Sequence, residues 1–293
     1  MRILYPILFF CLLLSCNVKP RRPITPAHIP ESSDSVILKT TSSTEIPQFA
    51  AANNEMLREL FNCDSIEANG TGWWIPDVED LVNIGPFHNI TLATVIDTTY
   101  TLQLYGKEHL FVVFVSTIYS NGEKCDGHVC APWIGIGEFK KTEDNLWSLY
   151  AFEKLMCAHG SWGDLQPYEL TAYGENHYCL SLNGSFMAQG QLMEMTRLID
   201  LTHEFGKEIL RINTLNTNSG AIEEQDAGYY LEQADLKWII KNGFYDLLVH
   251  HESTRRNDKL ELIQDHWEEH YQYSTSRGLF LPDENHSTKE LVD

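Results

Sequence analysis

The stretch LFVVFVSTI, residues 110–118, decides the fold class of this chain. Nearly all of its residues are β-branched or aromatic, the types that favour β-strands. It runs into Ser120, Asn121 and Gly122, which form a typical turn sequence. The stretch therefore predicts a strand that ends in a turn.

Similar stretches on both sides of it predict further strands. They cover residues 91–96, 99–105, 133–139, 147–155, 178–183, 208–214, 234–241, 245–250 and 270–274. Asn-Gly pairs at 183–184 and 242–243 are typical of hairpin turns. Residues 189–205 fit either a helix or another pair of strands, because their apolar spacing is compatible with both.

One short helix is predicted ahead of these strands. Met56, Leu57, Leu60 and Phe61 recur at spacings of three and four, which places them on one helical face. The pattern predicts a mainly β (or α+β) fold, an antiparallel sheet or sandwich with one short N-terminal helix. We expect a single domain over residues 48–281 and a flexible acidic tail over 282–293.

The chain begins MRILYPILFFCLLLSC, residues 1–16. Arg2 precedes an apolar run that is shorter than the roughly 20 residues needed to span a bilayer. The run has the proportions of a secretory signal peptide instead. Its last four residues, Leu13-Leu14-Ser15-Cys16, resemble the lipobox of bacterial lipoproteins. The resemblance implies that residues 1–15 are a cleaved signal peptide and that Cys16 is acylated. The alternatives are an ordinary cleaved signal peptide and an uncleaved anchor.

The composition of residues 16–47 predicts a disordered tether, because five prolines lie there among many Ser and Thr residues and the segment has no hydrophobic periodicity. Asn17 follows the acylated cysteine, and in the lipoprotein family this residue favours the outer membrane over the inner membrane. The formal net charge of -20 disfavours binding to nucleic acid and to anionic lipid headgroups. Membrane attachment is therefore expected through the N-terminal acyl chains.

Two loops hold the densest reactive side chains of the sequence. The first is CDGHVCAP, residues 125–132, and the second is CAHGSWGD, residues 157–164. If strands 133–139 and 147–155 pair as a hairpin, both loops lie at the same end of it. The candidate cluster consists of Cys125, His128, Cys130, Cys157 and His159.

Three interpretations of this cluster remain open. The simplest is a Cys125–Cys130 disulfide, or buried thiols beside surface histidines. The second is a zinc site in which Cys125, His128 and Cys130 are joined by Cys157 or His159, although the cysteine spacing is not a common zinc spacing. The third is a Cys130 nucleophile assisted by His128 or His159 and oriented by Asp164, although no protease signature surrounds it.

The motif His128-x-Cys130-Ala131-Pro132, followed by Gly160-Ser161-Trp162-Gly163, resembles a pattern in uncharacterised exported bacterial proteins of unknown function. The resemblance implies no activity. We therefore expect a lipid-anchored cell-envelope protein, a binding or envelope-associated module whose protein or small-molecule ligand is unidentified. The alternative is a metal-dependent or cysteine hydrolase that uses the His128/Cys130 loop. No feature of the sequence identifies a cofactor.

Overall fold

The structure is a computed structural model that describes residues 46–84, 89–241, 243–283 and 288–292, all in one compact unit. Cys16, the signal peptide and all but the last two residues of the predicted tether lie outside the described residues. Antiparallel strands dominate the described part, which confirms the mainly β prediction. None of its helices has the length and apolar character needed to cross a membrane.

Within the described residues, two short helices accompany the strands. Helix α1, Asn54–Phe61, matches the predicted helix and begins at Asn53, whose side chain accepts a hydrogen bond from the backbone of Glu55. Helix α2, Val78–Ile84, was not predicted. Asp77 begins it, because its carboxylate accepts the backbone N–H groups of Glu79 and Asp80 at 2.9 Å each. Helix α2 therefore adds one short element to the single helix that the sequence predicted.

The first sheet is an open half-barrel. Its strands are β1 Gln48–Phe49, β2 Ser65–Ile66, β3 Gly72–Trp74, β4 Ile90–Leu104, β5 Lys107–Ser120, β6 Glu123–Lys124, β7 Trp133–Lys141 and β8 Trp147–Ala158. Their spatial order is β1-β8-β7-β5-β4-β3-β2, with β6 paired to β5. Strand β5 therefore lies in the middle of the sheet.

The apolar run in β5 is buried on both of its faces. On one face Phe114 packs against Phe61 of α1, with ring centroids 5.1 Å apart. On the other face Phe111 and Val113 pack against the second sheet. A strand covered on both faces needs a continuous apolar run rather than an alternating one.

The second sheet closes into a barrel. Its strands are β9 Tyr168–Gly174, β10 His177–Ala188, β11 Gln191–Asp200, β12 Glu208–Thr217, β13 Tyr230–Lys241, β14 Phe244–Arg256, β15 Leu262–Ser274, β16 Leu279–Pro282 and β17 Thr288–Val292. Strands β9 to β13 are neighbours in sequence order, and β14 pairs with both β13 and β9. The pairing of Phe244 with Gly174 completes the ring.

Packing between the two sheets forms a shared core. Ile134 and Ile136 of β7 meet Leu180 of β10 and Ile199 of β11 there, all of them fully or almost fully buried. Burial of such apolar surface stabilises the fold by roughly 25 cal/mol per Å². This core fixes the position of β8 relative to β11, the two strands that border the cleft described below.

The structure resolves one ambiguity of the sequence and differs from two of its expectations. The ambiguous residues 189–205 form strand β11 and the turn after it. Residues 288–292 pair with β15 as strand β17, where a flexible tail was expected. Asn183-Gly184 lies inside β10, and the hairpin turns instead at Gln189-Gly190, which have φ of 52° and 80°. A Cβ atom at Gly184 would lie 3.2 Å from Oε1 at the end of the Gln166 side chain, a close contact that this side chain can relieve by a small shift.

Candidate functional site

The two cysteine-containing loops lie against each other at one end of the β7–β8 hairpin, as its topology predicts. The backbone N–H of His159 donates to the carbonyl of Pro132 at 2.9 Å, and that of Gly163 donates to the carbonyl of Cys130. An ion pair of 3.0 Å joins Lys124 to Asp164 across the same junction. The loops therefore share one surface.

Cys125 and Cys130 form a disulfide, the first of the three interpretations. Both sulfur atoms are used in that bond, so neither is a thiolate that could attack a substrate or bind zinc. Among the described residues, no three His, Cys, Asp or Glu side chains are arranged to hold a metal ion. Cys63, Cys157 and Cys179 keep free thiols.

The remaining members of the predicted cluster occupy different environments. His128 is exposed, and its ring lies against Trp162 with the centroids 5.8 Å apart. His159 is buried, with its Nε2 3.0 Å from the carbonyl oxygen of Pro167. Burial lowers the pKa of His159, and the hydrogen bond to Pro167 acts in the opposite direction. The structure therefore does not bring the two histidines together as one reactive pair.

Cys157 lies on the wall of a cleft that the sequence did not predict. This cleft of about 620 Å³ lies between β7 and β8 on one side and β11 with its following loop on the other. Burial raises the pKa of the Cys157 thiol to about 11, which keeps it protonated and unreactive at neutral pH. We call this cavity the intersheet cleft.

A β-bulge shapes the floor of the intersheet cleft. Ile134 pairs with Cys157 and Ile136 pairs with Glu153, so Gly135 alone faces the three residues 154–156. A Cβ atom at position 135 would lie 2.4 Å from the carbonyl oxygen of Lys154, so only glycine permits this approach. The bulge bends β8 where it borders the cleft.

Apolar and charged side chains meet in the intersheet cleft. Its apolar walls come from Trp133, Leu155, Met156 and Phe205. Its charged side chains are those of Arg197, Lys207 and Glu153. Burial raises the pKa of Glu153, the one carboxyl group on the lining. The cleft therefore combines an apolar wall with two cations and one carboxyl group.

An ion-pair network holds Arg197 in place. Its Nε donates to Glu208 at 2.7 Å, and only 17% of the side chain is exposed. Arg211 binds the same carboxylate from outside the cleft at 2.8 and 2.9 Å. Burial alone would raise the pKa of Glu208, but the hydrogen bonds from Arg211 and Arg197 lower it overall. The carboxylate thus stays ionised between two guanidinium groups.

Lys207 belongs to the loop after β11. Its ammonium group pairs with Glu204 and donates to the carbonyl of Arg277 at 2.8 Å. Sequence reasoning missed all three charged residues of the cleft. The one available signal was Arg197, a cation inside the apolar segment LMEMTRLI, residues 192–199. Lys207 and Glu153 have no distinguishing feature in the sequence. Comparisons of the chain with protein-family models, curated proteins and solved structures find no match.

Proposed function

We propose that the protein is a ligand-binding module of the bacterial cell envelope, anchored by acyl chains on Cys16. The lipobox resemblance supports the anchor and the location, with the outer membrane favoured over the inner membrane. The ligand site is the intersheet cleft, and the ligand is an amphiphile with an apolar body and an anionic group. The observation that carries this proposal is the meeting of apolar walls with Arg197 and Lys207 in one cavity.

The apolar walls suit an alkyl chain or a ring. Trp133, Met156 and Phe205 line the cleft, and contact with them would remove ligand carbon from water at roughly 25 cal/mol per Å². Cavities between packed layers with apolar walls and a few polar groups are common small-molecule sites.

The cations of the intersheet cleft determine the sign of the ligand charge. Arg197 is held by Glu208 through Nε, and the fork geometry of a guanidinium suits a carboxylate or a phosphate. Each of the two cations is paired with a glutamate beside the cleft, Arg197 with Glu208 and Lys207 with Glu204, and both cations face the cleft. An anionic group is therefore the better partner for this lining than a cationic one.

The hydrolase alternative has less support. It requires a thiolate at Cys130, and this sulfur is bonded to Cys125. A hydrolase centred on this loop would therefore need the disulfide to be reduced first. His128, its other proposed component, contacts Trp162 on the surface instead.

The test compares two detergent-like probes with the same apolar chain and opposite charges. Dodecanoate and dodecyltrimethylammonium are titrated into the purified protein below their micelle-forming concentrations, and binding is followed by calorimetry. Dodecanoate should bind, and the cationic probe should bind much more weakly. Equal binding of both probes, or no binding of dodecanoate, would contradict the proposal.

Two substitutions locate the site. Arg197→Gln should weaken dodecanoate binding roughly 10- to 100-fold, the usual effect of losing a hydrogen bond to a charged group. Arg211→Gln is the matched control, because Arg211 binds the same Glu208 but does not line the intersheet cleft. Lys207→Gln removes the second cation from a more exposed position, in case Arg197→Gln disturbs folding. Equal effects of Arg197→Gln and Arg211→Gln would place the ligand elsewhere.

A further inference from the structure

A second cavity is lined by residues of four strands of the barrel sheet. Strands β12 and β13 pair only over Leu215–Thr217 and Leu231–Gln233. Near this short pairing, residues from β12 to β15 surround a space of about 220 Å³. At about 30 Å³ per molecule this is the volume of roughly seven waters, which suits one small ring rather than an acyl chain. We call this space the barrel cavity.

The lining of the barrel cavity is almost entirely polar. Asn213, Asn216 and Gln233 contribute side-chain amides, and Glu232 and Glu269 contribute carboxylates. Amides both donate and accept hydrogen bonds, whereas carboxylates only accept. The lining therefore offers a ligand donors and acceptors at once.

A pair of stacked rings forms one wall of the barrel cavity. His251 and Trp267 face each other on β14 and β15, with parallel rings 4.6 Å apart. The Nε2 atom of His251 is buried and makes no hydrogen bond, with the Glu269 carboxylate 3.4 Å away. Tyr271 donates to the same carboxylate at 2.6 Å. A ligand hydroxyl could satisfy the buried nitrogen, whose unmet hydrogen bond costs free energy.

The combination of amides and carboxylates on the lining distinguishes between charged and neutral ligands. An anion would face Glu232 and Glu269, and a simple cation would leave the amide N–H groups without acceptors. An anion or a zwitterion would have Arg211, the one cation on the lining, as its partner, and Arg211 already donates through Nε and Nη2 to Glu208. A neutral polyol meets both requirements, because every hydroxyl donates and accepts.

We propose that the barrel cavity is a binding site for a single sugar ring. The ring hydroxyls bind the amides and carboxylates, and the C–H groups of the ring contact the His251/Trp267 wall. This site shares no lining residue with the intersheet cleft, so it stands independently of the function proposed above.

The experiment uses ligand-observed saturation-transfer NMR on the purified full domain. The probes are the methyl glycosides of glucose, galactose, mannose and N-acetylglucosamine, with acetate, tetramethylammonium and glycine as charged comparisons. For a ligand of this size we expect a dissociation constant on the order of 1 mM. At least one glycoside should give a saturable signal, and the three charged probes should not compete with it.

Three variants assign the signal to the barrel cavity. Glu269→Gln and Asn216→Ala should each weaken the glycoside about tenfold or more, which is the scale of a lost hydrogen bond to a ligand. Glu252→Gln is the matched control, since Glu252 is the neighbour of His251 but does not line the cavity. Binding of glycine or tetramethylammonium in preference to all glycosides would overturn the proposal. So would the absence of any glycoside signal, or equal affinity in all three variants.

Discussion

The His109–Glu138 pair leads to a prediction about stability and pH. His109 of β5 and Glu138 of β7 are both about 95% buried, with 6% and 5% exposure, and their Nδ1 and Oε1 atoms are 2.7 Å apart. Burial raises the pKa of Glu138 from 4.5 to about 7, against a smaller opposite effect of Lys140. Glu138→Gln keeps the shape of the side chain and a donor toward Nδ1, but removes the group that ionises.

The magnitude follows from the shift in pKa. Each unit corresponds to about 1.36 kcal/mol, so a rise from 4.5 to about 7 amounts to about 3 kcal/mol. Below pH 4.5 Glu138 is protonated in the folded and unfolded chains alike, and its full contribution to stability is present. As the pH rises from 4.5 to 7, the unfolded chain releases this proton more readily, so the wild-type protein loses stability. The glutamine variant does not.

The assay is urea unfolding of both proteins at about pH 4 and at about pH 8.5, followed by tryptophan fluorescence. Relative to its difference from the wild type at low pH, Glu138→Gln should gain about 3 kcal/mol at high pH. Burial also lowers the pKa of His109, but this residue is present in both proteins, so its own contribution largely cancels. Glu143→Gln, at an exposed position, is the control and should show no such pH-dependent gain.

Two results would refute this reasoning. If the wild-type protein became the more stable of the two as the pH rose, the pair would be a true ion pair between a charged His109 and a charged Glu138. If the difference between the two proteins did not change with pH, Glu138 would have the same pKa in the folded and unfolded chains.

Three further predictions concern other parts of the chain. Asp200→Ala should lower the free energy of unfolding by about 3–5 kcal/mol in urea, because this fully buried carboxylate accepts hydrogen bonds from Tyr173 and from backbone N–H groups. Asp200→Asn keeps one acceptor oxygen and should lose less, and equal losses would contradict a role for that acceptor. Replacing both Cys125 and Cys130 by Ser should cost about 2 kcal/mol in thermal unfolding, the amount for so short a loop, and a reductant should then have no further effect on stability. Cys16→Ser should move the protein from the membrane fraction to the soluble fraction, and unchanged membrane retention would reject the lipid anchor.

The sequence predicted where the strands lie better than it predicted which layers pack against them. The run at residues 110–118 indicated a strand, and its lack of alternation is the signal that both faces are covered. Nothing in the run itself identifies the covering layers, which are α1 on one face and the second sheet on the other. Asn183-Gly184 was misassigned as a turn because the Asn-Gly pair is typical of hairpin turns, yet here it lies inside strand β10. The pairing of this strand with its neighbours distinguishes the two cases.

The candidate sites show the same limit. The Cys125–Cys130 disulfide was among the predicted alternatives because the two residues are close in sequence. The intersheet cleft takes Glu153 from β8, Arg197 from β11 and Lys207 from the loop after β11. No local spacing connects these residues, because the packing of one sheet on the other brings them together. The barrel cavity likewise depends on the curvature of four strands. No periodicity in the sequence predicts this curvature.

The arrangement of the cysteines has a consequence for how the chain is made. In an oxidising compartment an unfolded chain risks joining the wrong thiols, and the short loop between Cys125 and Cys130 closes with the least loss of entropy. Folding then buries Cys157 and Cys179 in the sheets, where burial raises the pKa of the Cys157 thiol to about 11 and that of Cys179 further. Both thiols should therefore react with an alkylating reagent faster while the sheets are unformed than in the folded protein, and the contrast should be larger for Cys179, because Cys157 lines the intersheet cleft. Pulse labelling of them during refolding would therefore report when each sheet assembles.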